Sequence, residues 1–132
     1  MDTINEILTA AEDNIDSILQ HKGNTYLRNF MEAAYFPEKK FVLPEGVPPY
    51  KVNEQHEQQL RGAFWQIAKR INLFQRTDIT PARRESIFIQ ALESLPKVEV
   101  DILIACKEQK LHKIYKGVTL TRLTNIGYFN EQ

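Results

Sequence analysis

The chain has 132 residues, of which 42% are hydrophobic and 10% aromatic. This composition argues against a disordered protein and predicts a single domain whose core is large enough to fold without disulfides or metals. The 17 basic and 17 acidic residues give a net charge of zero, so the whole molecule has no electrostatic attraction to nucleic acid or to an anionic membrane.

Cysteine content and hydropathy predict where the protein works. A single cysteine, Cys106, excludes a disulfide within the chain and favours a reducing compartment. No stretch approaches the roughly 18 consecutive apolar residues that a transmembrane helix needs, and the N-terminus lacks the pattern of a signal peptide. We therefore expect a protein with no membrane partner.

Residues 1–36 predict an antiparallel pair of helices. The first helix is expected over Thr3–Gln20, where Thr3 and Glu6 form a capping box and apolar residues recur at spacings of three and four. Asn24 or Thr25 is expected to cap the second helix, which runs to about Tyr35. The apolar seam of the first helix leaves two alternatives open, because it can dock on its own domain or join two copies into a homo-oligomer.

Residues 37–53, called the strap below, predict an ordered connection between this pair and the later helices. The strap contains the stretch LPEGVPPYKVN, in which three prolines and a glycine exclude a helix. A flexible linker would be rich in Gly and Ser, whereas here stiff prolines alternate with apolar residues. We expect the strap to lie over the helices, with Tyr50 at its exit as a contact residue.

Residues 54–127 predict the remaining helices. Asn53 is expected to cap a third helix over 54–74, and Thr80 to cap a fourth that has Pro81 in its first position and runs to about residue 95. A helix over 96–109 is expected next, which continues or restarts up to Gly117, and a short last helix follows Thr119. The β-branched Val98 and Val100 leave a strand as an alternative for part of this region. The tail after Gly127 is expected to be loose. The predicted fold is all-α, a compact bundle of about six helices with a long ordered Pro-rich loop between helices 2 and 3.

The residue types that carry chemistry do not form a recognisable pattern. The three histidines and Cys106 are far apart, without the close pairs typical of metal sites, and we expect Cys106 to lie in the core. The carboxylates near helix starts, such as Glu57 and Asp101, are expected to be caps or solvated charges. The five glycines are scattered singly, so no phosphate-binding loop is predicted. We expect no catalytic residue, no metal and no cofactor.

Two sets of residues are candidates for binding a partner. The first is expected to form a protein interface with aromatic and arginine anchors: Tyr50, Arg61, Trp65, Lys69 and Arg70. The second is expected to contact phosphates or an acidic protein, with an ordinary solvated face as the alternative: Arg83, Arg84, Lys107, Lys110, Lys113 and Lys116.

Three motifs carry a resemblance to a known group of proteins. They are the L-P-E-G loop with its following Pro-Tyr, the R-x-x-x-F-I-Q-x-L-E-x-L pattern starting at Arg84, and the K-x-x-K-L-x-K-x-Y-K-G pattern starting at Lys107. Over residues 41–119 the chain resembles a family of small proteins of unknown function from tailed bacteriophages, especially the large contractile-tailed phages of marine bacteria. Residues 1–36 fit this family least. The resemblance implies a phage origin and action in the cytoplasm of the infected bacterial host, and it implies no catalytic residues.

The sequence thus favours a non-enzymatic phage accessory or regulatory protein that binds a host or phage protein. The alternatives are a nucleic-acid-binding protein that uses the basic C-terminal helices, a virion or assembly component that self-associates through the first helix, and a small-molecule binder.

Overall fold

The computed structural model describes residues 2–130 and confirms the all-α prediction for them, since they contain no strand. These residues form seven α-helices: α1 Ile4–Asp13, α2 Thr25–Tyr35, α3 Ala63–Ala68, α4 Pro81–Glu93, α5 Lys97–Lys107, α6 Leu111–Ile114 and α7 Leu120–Asn125. They also form four short 3-10 helices: Ile15–His21, Pro37–Lys39, Glu57–Leu60 and Ile71–Phe74. Within the same residues, no helix is long and apolar enough to cross a bilayer.

The first helix is shorter than predicted. Thr3 and Glu6 form the expected capping box, but the helix stops at Asp13 rather than at Gln20. Asn14 has an extended backbone with φ −145°, and its side chain accepts the N–H of Asp16 at 3.2 Å, so the chain restarts as a 3-10 helix. This local bond competes with the helical one, as Asn side chains commonly do.

The apolar seam of α1 is used inside the chain. Ile4, Ile7, Leu8 and Ala11 are at most 2% exposed and belong to the main core. The apolar face on which the idea of self-association through this helix rested is thus covered within the chain, and association of two copies stays a prediction.

The single helix predicted over 54–74 is wrong. Asn53 does not cap a helix: its side chain accepts the N–H of Gln55 at 2.8 Å in a local turn and donates to the Glu93 carbonyl at 3.1 Å. Gly62 then has a left-handed backbone with φ 93°, which glycine adopts without the steric cost of a side chain. The region is consequently divided into a 3-10 helix before Gly62, the short α3 after it, and a second 3-10 turn.

Helix α5 lies at the centre of the fold, where it packs against α1, α2 and α6. The helical reading of Val98 and Val100 is confirmed, since both lie in α5. An aromatic part of the same core joins the start of the strap to α4: the rings of Phe41 and Phe74 are 5.1 Å apart, and those of Phe74 and Phe88 are 5.2 Å apart.

Two buried cations determine where the strap lies. The Arg84 guanidinium of α4 donates to the carbonyl oxygen of Val42, and the Lys107 ammonium of α5 donates to the carbonyl oxygen of Pro44 at 2.8 Å. Phe41 is buried at the start of the strap. The strap is therefore held against two helices by hydrogen bonds as well as by packing.

The tail after α7 is packed, and the prediction that it is loose is wrong for the residues described. Tyr128 is fully buried, the ring of Phe129 lies 4.6 Å from that of Phe36, and the Lys22 ammonium donates to the carbonyl of Gly127 at 2.8 Å. The aromatic side chains supply the burial that a loose tail would lack. Residues 131–132 lie outside the described residues.

Candidate interaction surface

The five predicted partner-binding residues do not form one surface. Trp65 is 7% exposed and its indole N–H donates to the carbonyl of Asp2 at 3.2 Å, so its prediction as an exposed anchor is wrong. Arg61 donates to a carboxylate of α1 at 2.9 Å. Lys69 and Arg70 are exposed directly after α3, and neither lines the hollow that contains Tyr50.

Two of the predicted phosphate-binding residues are buried. Arg84 is 6% exposed and also donates to the carbonyls of Arg76 and Ile79, at 3.0 and 3.1 Å. Lys107 is 2% exposed and, besides reaching the strap, bonds the Glu108 carboxylate at 2.7 Å. Their prediction as surface contacts is wrong. Both side chains are instead turned inward, where they donate to backbone carbonyl groups of non-helical segments that have no partner within a helix.

The predicted ladder of four lysines is interrupted by the backbone. Helix α5 ends at Lys107, and Gln109 has a left-handed conformation with φ 54° before α6 begins. Steps of three residues keep side chains on one face only within a continuous helix. Lys110, Lys113 and Lys116 are exposed, but they no longer continue the face of α5.

The structure brings two of these lysines together with the exit of the strap. A shallow hollow of about 370 Å³ lies between the strap, α5 and α6. We call its lining the strap–lysine surface, and its principal residues are Val47, Tyr50, Lys97, Ile104, Lys110, Lys113 and Ile114. Val47 is 65% exposed and Ile114 is 43% exposed, which makes this one of the places where large apolar side chains meet solvent.

The charges around this hollow are unequally compensated. The Lys97 ammonium bonds Asp101 at 2.7 Å, and this bond, with a smaller contribution from the Tyr50 hydroxyl, raises the pKa of Lys97. Burial opposes ionisation of Glu108, yet the bonds from Lys107 and from a strap N–H hold its pKa below its usual value. Asp101 is thus paired with Lys97 and Glu108 with Lys107, while Lys110 adds a weaker attraction to Glu108. The exposed Lys110 and Lys113 make the rim of the hollow positive.

A second, smaller cavity contains an acidic residue that the sequence reading overlooked. About 200 Å³ is enclosed by the N-terminal ends of α1 and α5 and the turn that holds Glu57 and Arg61. Glu99 lines it, is 4% exposed, and its Oε1 has no hydrogen-bond partner within the described part of the chain. Burial, and then the nearby Glu57 carboxylate, raise the pKa of Glu99 to about 7, while Arg61 opposes the shift.

A pattern in the sequence does point to Glu99. It shares one face of α5 with Ile102, Leu103 and Cys106, at spacings of three, four and seven residues, and all three are buried. A carboxyl group in such an apolar stripe is uncommon unless something pairs with it.

A larger, open groove of about 1020 Å³ lies between the start of the strap and α4. Val42 and Ile89 give it an apolar floor, and Glu85 and Glu93 lie along its α4 side. The Arg84 guanidinium lines the groove, but its bonds to three carbonyls commit it to holding the backbone.

Cys106 is the core residue that the sequence predicts. It is fully buried, burial raises the pKa of its thiol, and its Sγ lies 3.7 Å from the carbonyl oxygen of Phe30. Across residues 2–130, no three His, Cys, Asp or Glu side chains converge closely enough to hold a metal ion.

Comparison with known proteins places the chain in a family. A model described as a family of unknown function, DUF6433, matches residues 4–113, which is most of the chain. No curated protein and no solved structure gives a significant match.

Proposed function

Because the chain belongs to the family of unknown function DUF6433, from which no activity can be transferred, we propose a function from its surface. The protein acts by binding an acidic segment of another protein at the strap–lysine surface, without a catalytic step. An apolar side chain of that segment occupies the hollow, and its carboxylates pair with Lys110 and Lys113.

The observation that carries this proposal is the exposure of Val47 and Ile114 beside two exposed lysines, Lys110 and Lys113. An apolar centre with a charged rim is the usual composition of protein interfaces. Tyr50 is half-buried in the same hollow, and tyrosine is among the residues that contribute most to binding energy.

An acidic protein fits this surface better than nucleic acid does. Because Arg84 and Lys107 are buried, only four of the six predicted phosphate-binding residues remain exposed. The strength of nucleic-acid binding depends on the number of phosphates that are neutralised. The apolar hollow, in contrast, gives a protein side chain a place to be buried.

The cellular setting of this proposal is the cytoplasm of an infected bacterium, where the partner is a host or a phage protein. This setting rests on the likeness of residues 41–119 to bacteriophage proteins. In it, the protein is an accessory or regulatory factor of infection.

The test is affinity capture with matched variants. Tagged wild-type protein produced in infected cells should recover a specific partner, and Val47→Asp or the pair Lys110→Glu with Lys113→Glu should lower that recovery at least tenfold. The matched control reverses two exposed charges elsewhere, Lys69→Glu with Arg70→Glu, and should recover as much as wild type.

Two outcomes would refute the proposal. One is a wild-type partner that is recovered equally well by the Val47→Asp variant. The other is recovery that disappears after nuclease treatment and falls steeply with salt, which would assign the surface to nucleic acid instead.

A further inference from the structure

The cavity at Glu99 is separate from the strap–lysine surface. Lys97 and Asp101 point to the outer side of α5, where they pair with each other and are exposed. Glu99 lies between them in sequence but on the opposite, buried side of the helix, because successive residues turn by about 100°. An inference about this cavity therefore does not depend on the proposed function.

The acidic groups of the cavity are only partly compensated. Its lining contains the carboxyl groups of Glu6, Glu57 and Glu99 and one guanidinium, that of Arg61. Arg61 bonds Glu6 at 2.9 Å, and Glu6 also accepts the N–H of Thr3 at 2.8 Å. The bond from Thr3, followed by the bond from Arg61, holds the pKa of Glu6 below its usual value. The carboxylate of Glu6 therefore already has hydrogen-bond partners.

Glu99 is different, because its carboxyl group is buried with an oxygen that lacks a partner in residues 2–130. A buried polar atom without a hydrogen bond is costly, and native structures keep few of them without a reason. A donor that enters the cavity and carries a positive charge would satisfy this oxygen and balance the charge of the ionised carboxylate.

We propose that this cavity binds an organic cation, either a guanidinium or a primary ammonium group, with Glu99 as its anionic partner. Glu57 adds attraction at the mouth, where it is exposed. The volume of about 200 Å³ accommodates such a group together with a short alkyl stem. The group belongs to a free small amine or to an Arg or Lys side chain of a partner.

The proton of Glu99 is coupled to this binding. Besides burial, the groups that shift the pKa of Glu99 are Glu57 and Arg61 on the neighbouring turn. Glu6 also lines the cavity, and Tyr115 lies close enough that burial, Glu12 and then Glu99 raise its own pKa to about 12. Since the pKa of Glu99 is about 7, the cation replaces a proton at lower pH and meets an ionised carboxylate at higher pH. Affinity rises as the pH approaches 7 and levels off above it.

The experiment follows backbone amide NMR signals of the full chain during titration with methylguanidinium, with propylammonium and with the neutral analogue methylurea. We expect saturable shifts around α5 for both cations and none for methylurea. Between about pH 5.5 and about pH 8, the affinity for the cations should rise roughly thirtyfold, which is the change in the ionised fraction of a group with a pKa of about 7. A capped peptide containing one arginine forms a second arm, and binding tighter than that of methylguanidinium would identify a protein side chain as the source.

The matched variants are Glu99→Gln and Asp101→Asn, on opposite sides of the same helix. Glu99→Gln should weaken the binding of each cation at least tenfold at pH 8 and remove its pH dependence, whereas Asp101→Asn should leave both unchanged. Circular dichroism of both variants establishes that they are folded. The proposal is overturned if wild type shows no saturable shifts with either cation or with the peptide, if methylurea binds equally well, or if Glu99→Gln binds as wild type does.

Discussion

Replacing Glu99 by glutamine should change how the stability of the protein depends on pH. The pKa of this carboxyl group is 4.5 in a solvated reference state and about 7 in the folded chain, where burial disfavours the ionised form. Between these two values the folded state holds a proton that the unfolded state has lost, so stability decreases as the pH rises from 4.5 to 7 and is level above 7.

The size of this effect follows from the shift. A difference of one between the folded and unfolded pKa corresponds to about 1.4 kcal/mol. Ionised Glu99 therefore lowers the free energy of unfolding by about 3 kcal/mol at pH 8, and roughly 2.5 kcal/mol of this loss develops between pH 5 and pH 8. Glutamine has no proton to lose. The Glu99→Gln variant should therefore be similar to wild type at pH 5 and more stable than wild type at pH 8.

Urea denaturation of both proteins at pH 5 and pH 8 measures how much stability each one loses between the two values. In the difference between the two losses, the titration of all other groups cancels. Glu38→Gln is the matched control, because Glu38 is exposed on a surface turn, and it should follow wild type at both values. If wild type and Glu99→Gln lose the same stability between pH 5 and pH 8, Glu99 is solvated in the folded chain and the reasoning fails.

Two further pairs of variants test the packing described above. Arg84→Met should lower the free energy of unfolding by about 3 kcal/mol in chemical denaturation, because three carbonyls lose a charged donor; the adjacent exposed Arg83→Met should change it by less than about 0.5 kcal/mol, and equal effects would contradict the assigned role. Gly117→Ala should lower the melting temperature, since its Cβ would lie 2.6 Å from the backbone oxygen of Glu12. Gly23→Ala, where a Cβ meets nothing within 4 Å, should be tolerated, and a larger loss at Gly23 than at Gly117 would contradict the packing.

Local sequence patterns predicted the starts of several helices correctly. Thr3 and Glu6 cap α1 as expected, and Thr80 accepts the N–H of Arg83 at 3.1 Å at the start of α4, with Pro81 in the first helical position. These interactions span only three residues, so a single sequence contains all the information that they require.

Interactions between distant residues were not predictable in this way. Lys107 was expected on the surface because its neighbours on the sequence ladder are lysines, but its partner Pro44 lies 63 residues earlier in the chain. The ladder itself failed because Gln109 leaves the helical conformation, and its side-chain amide donates to the carbonyls of Ala33 and Phe36 at the end of α2, more than 70 residues earlier in the chain. Tertiary hydrogen bonds of this kind override local periodicity.

The candidate surface was predicted only in part, because it too depends on contacts between residues that are distant in the sequence. Tyr50, Lys110 and Lys113 were each singled out from sequence, but in two unrelated hypotheses. Their grouping around one hollow depends on how the strap crosses α5, which no periodic pattern encodes. Ile114 was not singled out, although its place between two lysines in the order Lys113, Ile114, Tyr115, Lys116 could have marked it.

The anchoring of the strap by Arg84 and Lys107 has a consequence for binding rates. A loop that must become ordered when it meets its partner loses conformational entropy at that moment and weakens the complex. Here Val47 and Tyr50 lie on a segment already immobilised from the opposite side by two buried cations. Substitutions on the inner faces of α4 and α5, outside the proposed interface, should therefore slow the association of the proposed partner by releasing this segment, while leaving the residues of the strap–lysine surface themselves intact.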